Sequence, residues 1–112
     1  NILGYVAALA AYRDGESWLQ AQLAYLRGNR DRLEAVVAAL PGLSMAHAEA
    51  TYLGWLDARA LGVGDPCAYF ERHGLGFGSG KDFAGEGFVR FSLTVPDDRL
   101  AEAMERIGRA LA

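Results

Sequence analysis

The segment 85–96 constrains the fold most, because its β-branched and aromatic residues lie between glycines and Pro96 and predict a strand. Successive side chains of a strand point to opposite faces of the sheet. One face of this strand would be wholly apolar: Val89, Phe91, Leu93 and Val95. The other face would be mostly polar: Phe88, Arg90, Ser92 and Thr94. The strand therefore needs a core on one side and presents an arginine on the other.

Arg90 is the candidate functional residue of this strand. A guanidinium held on a rigid strand can offer a planar pair of donors to a carboxylate or a phosphate. The competing interpretation is an arginine that lies in solvent on the outer side of the sheet. From the alternating pattern alone, both interpretations stay open.

The apolar periodicity predicts three helices. A long helix begins near Asp14, carries an apolar stripe, and ends at Pro41–Gly42, and Gly28–Asn29 could bend or break it. A short helix begins at Asp65–Pro66, where an aspartate cap precedes proline at the first helical position. The last helix follows Pro96.

Short strands are predicted between these helices. Residues 43–47 and 75–77 are weak candidates, whereas residues 51–57 are almost continuously apolar, as is typical of a strand buried on both faces. Residues 78–87 are predicted to form a flexible, glycine-rich loop. The order predicts an α/β domain (an α+β sandwich), in which a long N-terminal, a short and a C-terminal helix cover a small, largely antiparallel sheet.

Composition limits the partners of the chain. Its 112 residues suffice for one small domain, and a net charge of −3 without a basic block argues against a nucleic-acid partner. No apolar run approaches the roughly 20 residues of a membrane span, so no membrane partner is expected. Cys67 is the single cysteine, which excludes an internal disulfide and favours a reducing, cytoplasmic location.

The usual catalytic patterns are missing from the sequence. His47 and His73 have no ligand neighbours at metal-binding spacing, so no metal is expected. The glycine-rich stretch 74–82 departs from the phosphate-loop template at Leu75 and Asp82. Lys81, in a polar loop, lacks the desolvated environment of a Schiff-base lysine. No catalytic, cofactor-binding or metal-binding residue is therefore predicted within the chain.

Four stretches, in order along the chain, carry a family resemblance: residues 10–19 (AAYRDGESWL), 26–30 (LRGNR), 49–57 (EATYLGWLD) and 85–91 (GEGFVRF). Together they resemble the C-terminal part of class I/II pyridoxal-phosphate (PLP)-dependent enzymes of the aminotransferase fold. The chain is most similar to the cystathionine β-lyase, or C–S lyase, subgroup, over nearly all of its length.

The resemblance implies that Arg90 binds the α-carboxylate of an amino-acid substrate. It implies PLP as the cofactor, held by a large domain that also bears the Schiff-base lysine and lies upstream. Residues 1–13 would be a remnant of the interdomain or large-domain segment, and residues 14–112 the C-terminal small domain. The parent enzyme would be a homodimer. Ser92 departs from the asparagine that relatives often have two residues after the arginine.

The resemblance leaves the reaction open. The parent could be a C–S lyase or an aminotransferase, and the 112 residues alone are expected to have neither activity. A different class of function is a stand-alone, non-enzymatic module that binds a small carboxylate or a protein partner.

Overall fold

The computed structural model describes all residues of the chain, 1–112. It contains four α-helices: α1 (Ile2–Asp14), α2 (Glu16–Ala38), α3 (Pro66–Arg72) and α4 (Asp97–Ala110). It contains four strands: β1 (Ser44–Met45), β2 (Leu53–Asp57), β3 (Gly78–Ser79) and β4 (Phe88–Ser92). Two 3₁₀ turns, Arg59–Leu61 and Gly80–Phe83, complete the secondary structure.

The four strands form one antiparallel sheet in the order β1-β2-β4-β3. Strand β4 lies inside the sheet, so its backbone is bonded on both sides. Arg90 is paired with Trp55 of β2 and with Gly78 of β3. The predicted α/β class with a small antiparallel sheet is confirmed, and the register places Arg90 at the centre of the sheet.

The core lies on one face of the sheet only. Leu56, Val89 and Phe91 point from the strands into this core and are at most 4% exposed. The helices supply the other side of the core: Leu33 and Val37 from α2, Phe70 from α3, and Leu100 and Ile107 from α4. We call this the helix face of the sheet, and the opposite one the open face.

Strand β2 alternates between half-buried and buried residues, with Gly54 and Leu56 buried. The prediction that this strand is buried on both faces was therefore wrong. The apolar run misled the prediction because Trp55 points to the open face, where the single rings of Phe83 and Phe88 lie against it instead of a second layer of helices.

Helix α2 runs without interruption through Gly28 and Asn29, so a break at this point is wrong. Asn29 is 2% exposed, and its Nδ2 donates to the carbonyl oxygens of Leu93 (2.9 Å) and Val95 (3.2 Å). These two carbonyls follow β4 and have left the sheet. The buried carboxamide supplies their hydrogen bonds and fixes α2 to the end of the strand.

The helix starts agree only partly with prediction. Asp65 caps α3 as predicted, because its Oδ1 accepts hydrogen bonds from the backbone N–H of Cys67 and of Ala68. Asp14, predicted to cap α2, is instead the last residue of α1 and pairs with Arg13 at 2.8 Å. Gly15 stands between the two helices.

Helix α1 has no buried residue. Its large apolar side chains are more than half exposed: Ile2, Leu3, Tyr5, Val6, Leu9 and Tyr12. A helix that is apolar on all sides is normally enclosed by other structure. None of the helices in the chain combines the length and the apolar character that crossing a bilayer requires.

Candidate functional site

Arg90 lies on the open face of the sheet and is half-buried. Its neighbours along β4, Val89 and Phe91, are buried on the helix face, so the strand cannot slip by one residue without exposing the core. The position of the arginine is therefore fixed by the packing of the two residues that flank it.

The guanidinium of Arg90 borders two neighbours that accept no hydrogen bond from it, Phe83 and Gly78. Its Cζ is 4.4 Å from the centroid of the Phe83 ring. Gly78, the cross-strand partner of Arg90, also borders the guanidinium, since a Cβ there would lie 3.2 Å from Nε and 3.4 Å from Nη2. We call the space between Gly78 and Phe83 the Arg90 slot.

The donors of Arg90 have no acceptor within the chain. Most other arginines form ion pairs with aspartate or glutamate: Arg13, Arg30, Arg32, Arg59, Arg99, Arg106 and Arg109. Arg27 and Arg72 do not, and both are exposed. Arg90 is thus the half-buried arginine whose donors remain free, as binding a carboxylate or phosphate requires.

An aromatic cluster surrounds this position. Trp55 stacks on Phe88 with ring centroids 5.4 Å apart, and Phe83 meets Trp55 edge-on at 6.5 Å. The guanidinium carbon of Arg59 lies over the Phe88 ring, 4.8 Å from its centroid. Apolar rings next to a free guanidinium displace water, which strengthens any ion pair that the guanidinium forms.

The acidic group of the open face already has a partner. Asp57 forms an ion pair with Arg59 at 2.6 Å, and this hydrogen-bonded guanidinium holds the pKa of the Asp57 carboxyl below its usual range. The carboxylate is therefore ionised at neutral pH and occupied by Arg59. Because Asp57 is paired with Arg59, it does not neutralise Arg90, which stays free for an external anion.

The glycine-rich loop before β4 contains more regular structure than the sequence predicted. It includes β3 and a 3₁₀ turn, and the Gly85 N–H donates to the Gly80 carbonyl at 2.9 Å. A Cβ on Gly85 would lie 2.4 Å from the Trp55 ring, so only glycine lets the loop close over the tryptophan. This close approach holds Phe83 over the open face.

Two other side chains considered in the sequence analysis, Lys81 and Cys67, have polar partners within the chain. Lys81 is half exposed, and its Nζ lies 3.3 Å from the Asp65 carboxylate at the start of α3. The Cys67 thiol donates to the Phe77 carbonyl at 3.1 Å, and burial raises the pKa of the thiol. Neither side chain is activated as a nucleophile.

A groove of about 320 Å³ lies between β4 and α4 and does not include Arg90. Two arginines of this groove are already bonded. Arg99 and Arg106 both pair with Glu102, and Arg106 also donates to the Gly74 carbonyl at 2.7 Å. Both cations of the groove are therefore already paired with a carboxylate, whereas Arg90 has no such partner and stays the candidate for binding an anion.

Known proteins are similar to this chain in sequence and in fold. No protein-family model matches the chain. The cystathionine beta-lyase PatB of Bacillus subtilis is 32% identical over all of the chain. A crystal structure of OvoB superposes with a TM-score of 0.95 at 57% identity and covers 99% of this chain. The PLP-bound C-S lyase from Staphylococcus hominis superposes at 0.86 with 30% identity, again over 99% of the chain.

The chain is a domain of the PLP-dependent aminotransferase fold. It spans about a third of the length of the curated relatives it matches: 30% of PatB and 32% of a related Mycobacterium leprae protein. In the solved structures it covers 29% of the OvoB chain and 31% of the C-S lyase chain. The resemblance found in the four sequence stretches is confirmed.

The residues of this aminotransferase-fold domain do not fit the PLP cofactor. The single lysine, Lys81, is paired with Asp65 and half exposed, whereas a lysine that forms a Schiff base needs a desolvated or cation-rich environment. Within the chain no group of histidine, cysteine or acidic residues could hold a metal ion either. What this domain offers is the free guanidinium of Arg90.

Sequence analysis missed two residues that shape this site. Phe83 was treated as part of a loop, although a lone aromatic among glycines is a signal of a packed side chain. Asn29 falls on the apolar stripe between Leu26 and Leu33, and a polar residue on such a stripe indicates a buried hydrogen bond.

Proposed function

We propose that the chain is the C-terminal small domain of a PLP-dependent C–S lyase of the cystathionine β-lyase type, which acts on an amino acid. In this proposal residues 14–112 form the small domain, and residues 1–13 belong to the segment that joins it to a large domain. PLP and the Schiff-base lysine belong to that large domain. The similarity to PatB, a cystathionine beta-lyase, and to the C-S lyase of Staphylococcus hominis supports the lyase assignment.

Arg90 binds the α-carboxylate of the substrate in this proposal. The observation that supports it is a half-buried guanidinium, fixed on an inner strand, with no acidic partner in the chain. A guanidinium can donate two parallel hydrogen bonds to one carboxylate, which fixes the orientation of the ligand as well as its position. The role of this domain is thus to bind and orient the substrate.

The apolar surface of α1 supports the proposal of a large domain as partner. Six large apolar side chains of this helix are between 58 and 92% exposed, which is costly in water. A stand-alone binding module would leave them exposed. We further propose that the parent is a cytoplasmic homodimer. Light scattering tests the dimer: a mass of twice one parent chain supports it, and a mass of one parent chain contradicts it.

Substitution of Arg90 in the parent enzyme tests the carboxylate role. We expect Arg90→Ala to lower kcat/KM by about 30-fold or more, because truncating one partner of a desolvated ion pair costs roughly 2–5 kcal/mol. Arg90→Lys should recover little, since lysine cannot offer the planar pair of donors. Absorbance of the bound cofactor, which another domain holds, should not change. Unchanged steady-state constants would remove Arg90 from the site.

The 112-residue chain by itself is proposed to be inactive. Incubation with PLP and cystathionine, followed by assays for keto acid and free thiol, should detect no turnover. Turnover above the rate with PLP alone would contradict the assignment of the chemistry to another domain.

An aminotransferase is the second candidate for the parent. The LL-diaminopimelate aminotransferase of Nitratidesulfovibrio vulgaris is 37% identical over 91% of the chain and supports it. Arg90 would bind the same carboxylate in either reaction, so the domain itself does not distinguish them. Thiol release from cystathionine by the parent indicates the lyase, and amino transfer to a keto acid without thiol release indicates the aminotransferase.

A further inference from the structure

We propose that Phe83 is a positioning residue for Arg90: its ring, together with Gly78, holds the guanidinium in the orientation that receives a carboxylate. The inference rests on the proposed role of Arg90 and adds to it the side chain that fixes its geometry. Phe83 acts through Arg90 and does not itself need to touch the substrate.

The first observation is the geometry of the Arg90 slot. The guanidinium carbon is 4.4 Å from the centroid of the Phe83 ring, well within the distance at which a cation is attracted to an aromatic face. The missing side chain of Gly78 also leaves room for Nε and Nη2, which a Cβ would approach to 3.2 and 3.4 Å. The guanidinium therefore lies against both the Phe83 ring and Gly78.

The second observation is the chemistry of the two surfaces. Neither the phenylalanine ring nor the glycine Cα offers an oxygen, so the slot restrains the guanidinium without using its N–H donors. The ion pairs of Arg59 and Arg106 show the usual alternative in this chain, in which a carboxylate restrains the arginine and occupies its donors. Restraint by an aromatic ring leaves both donors of the pair available.

The third observation is that the loop fixes Phe83. The ring meets Trp55 edge-on at 6.5 Å, and its 3₁₀ turn is closed by the hydrogen bond from Gly85 to Gly80. Phe83 nevertheless remains 55% exposed, which is unusual for a phenylalanine that serves only the core. Its exposed position means that it can be replaced without opening a cavity in the helix face.

The test compares Phe83→Leu with Phe83→Tyr in the full-length holoenzyme. Leucine keeps an apolar side chain but removes the ring, so we expect KM for the amino-acid substrate to rise roughly 3- to 10-fold, with a much smaller change in kcat. Tyrosine retains the ring and should restore most of the affinity. Equal KM values for the leucine and wild-type enzymes, or no difference between leucine and tyrosine, would overturn the proposal.

A double-mutant cycle with Arg90→Ala separates positioning from a general effect on the loop. If Phe83 acts through Arg90, Phe83→Leu should have no further effect on KM in the Arg90→Ala background. An equal additional rise there would show that Phe83 acts independently of Arg90. If Arg90→Ala is itself without effect, the proposed function fails first, so the two failures are distinguishable.

Discussion

The two faces of strand β4 differ in what restrains their side chains. On the helix face, Val89 and Phe91 are enclosed by three helices and are 0 and 4% exposed. On the open face, Phe88 and Arg90 are half-buried and are covered by single side chains of β2, of the 3₁₀ turn at Arg59 and of the glycine-rich loop. The first face gives the domain its stability, and the second presents a free cation. Neighbouring residues of one strand therefore serve different purposes.

The largest expected effect contrasts Phe91 with Arg90. We expect Phe91→Ala to lower the free energy of unfolding by about 3–5 kcal/mol, because it opens a cavity next to Phe77, whose ring centroid is 5.6 Å away. Arg90→Ala should change it by less than about 1 kcal/mol. Urea denaturation of both variants measures the difference. A larger loss for Arg90→Ala than for Phe91→Ala would break the contrast between the faces.

Asn29 tests whether the helix face also depends on polar contacts. We expect Asn29→Leu, which retains the volume but loses both donors, to cost about 1–3 kcal/mol, because the Leu93 and Val95 carbonyls lose a buried partner. Tyr25→Phe is the matched control: its hydroxyl also donates to Val95, at 3.0 Å, but from an exposed position. Denaturation midpoints should fall further for Asn29→Leu, and equal midpoints would contradict the account.

The smallest effect concerns the pH dependence of the contact between α3 and the loop. Hydrogen bonds from the Ala68 backbone N–H and from Lys81 hold the pKa of Asp65 below its usual range. A lowered folded-state pKa adds stability above the unfolded value of about 3.9, and this stability disappears as pH falls through the folded-state pKa.

Asp65→Asn retains a helix cap but cannot titrate. The difference in melting temperature between wild type and Asp65→Asn should therefore be largest near neutral pH and shrink toward about pH 3. Thermal unfolding across this range measures it. A difference that grows on acidification would have the wrong sign.

The apolar periodicity of the sequence predicted those elements whose position depends on burying an apolar face. The alternation in β4, the apolar stripe of α2 and the cap at Asp65 each determine their structure locally, so the three helices, the antiparallel sheet and the face of Arg90 followed from sequence. The contacts of the loop did not, because Phe83 meets Arg90 and Trp55 through a chain reversal that no periodicity encodes. The break expected at Asn29 was wrong for the same reason: its partners lie 64 and 66 residues away.

The central claim is that Arg90 recognises a carboxylate, and the most direct measurement compares an amino-acid ligand with its carboxamide analogue. Dissociation constants of both are measured for the wild-type parent and for Arg90→Ala. The wild type should bind the amino acid at least about 30-fold more tightly than the carboxamide, and Arg90→Ala should bind the two about equally. If Arg90→Ala still prefers the carboxylate by the wild-type factor, another residue provides the recognition and the account is wrong.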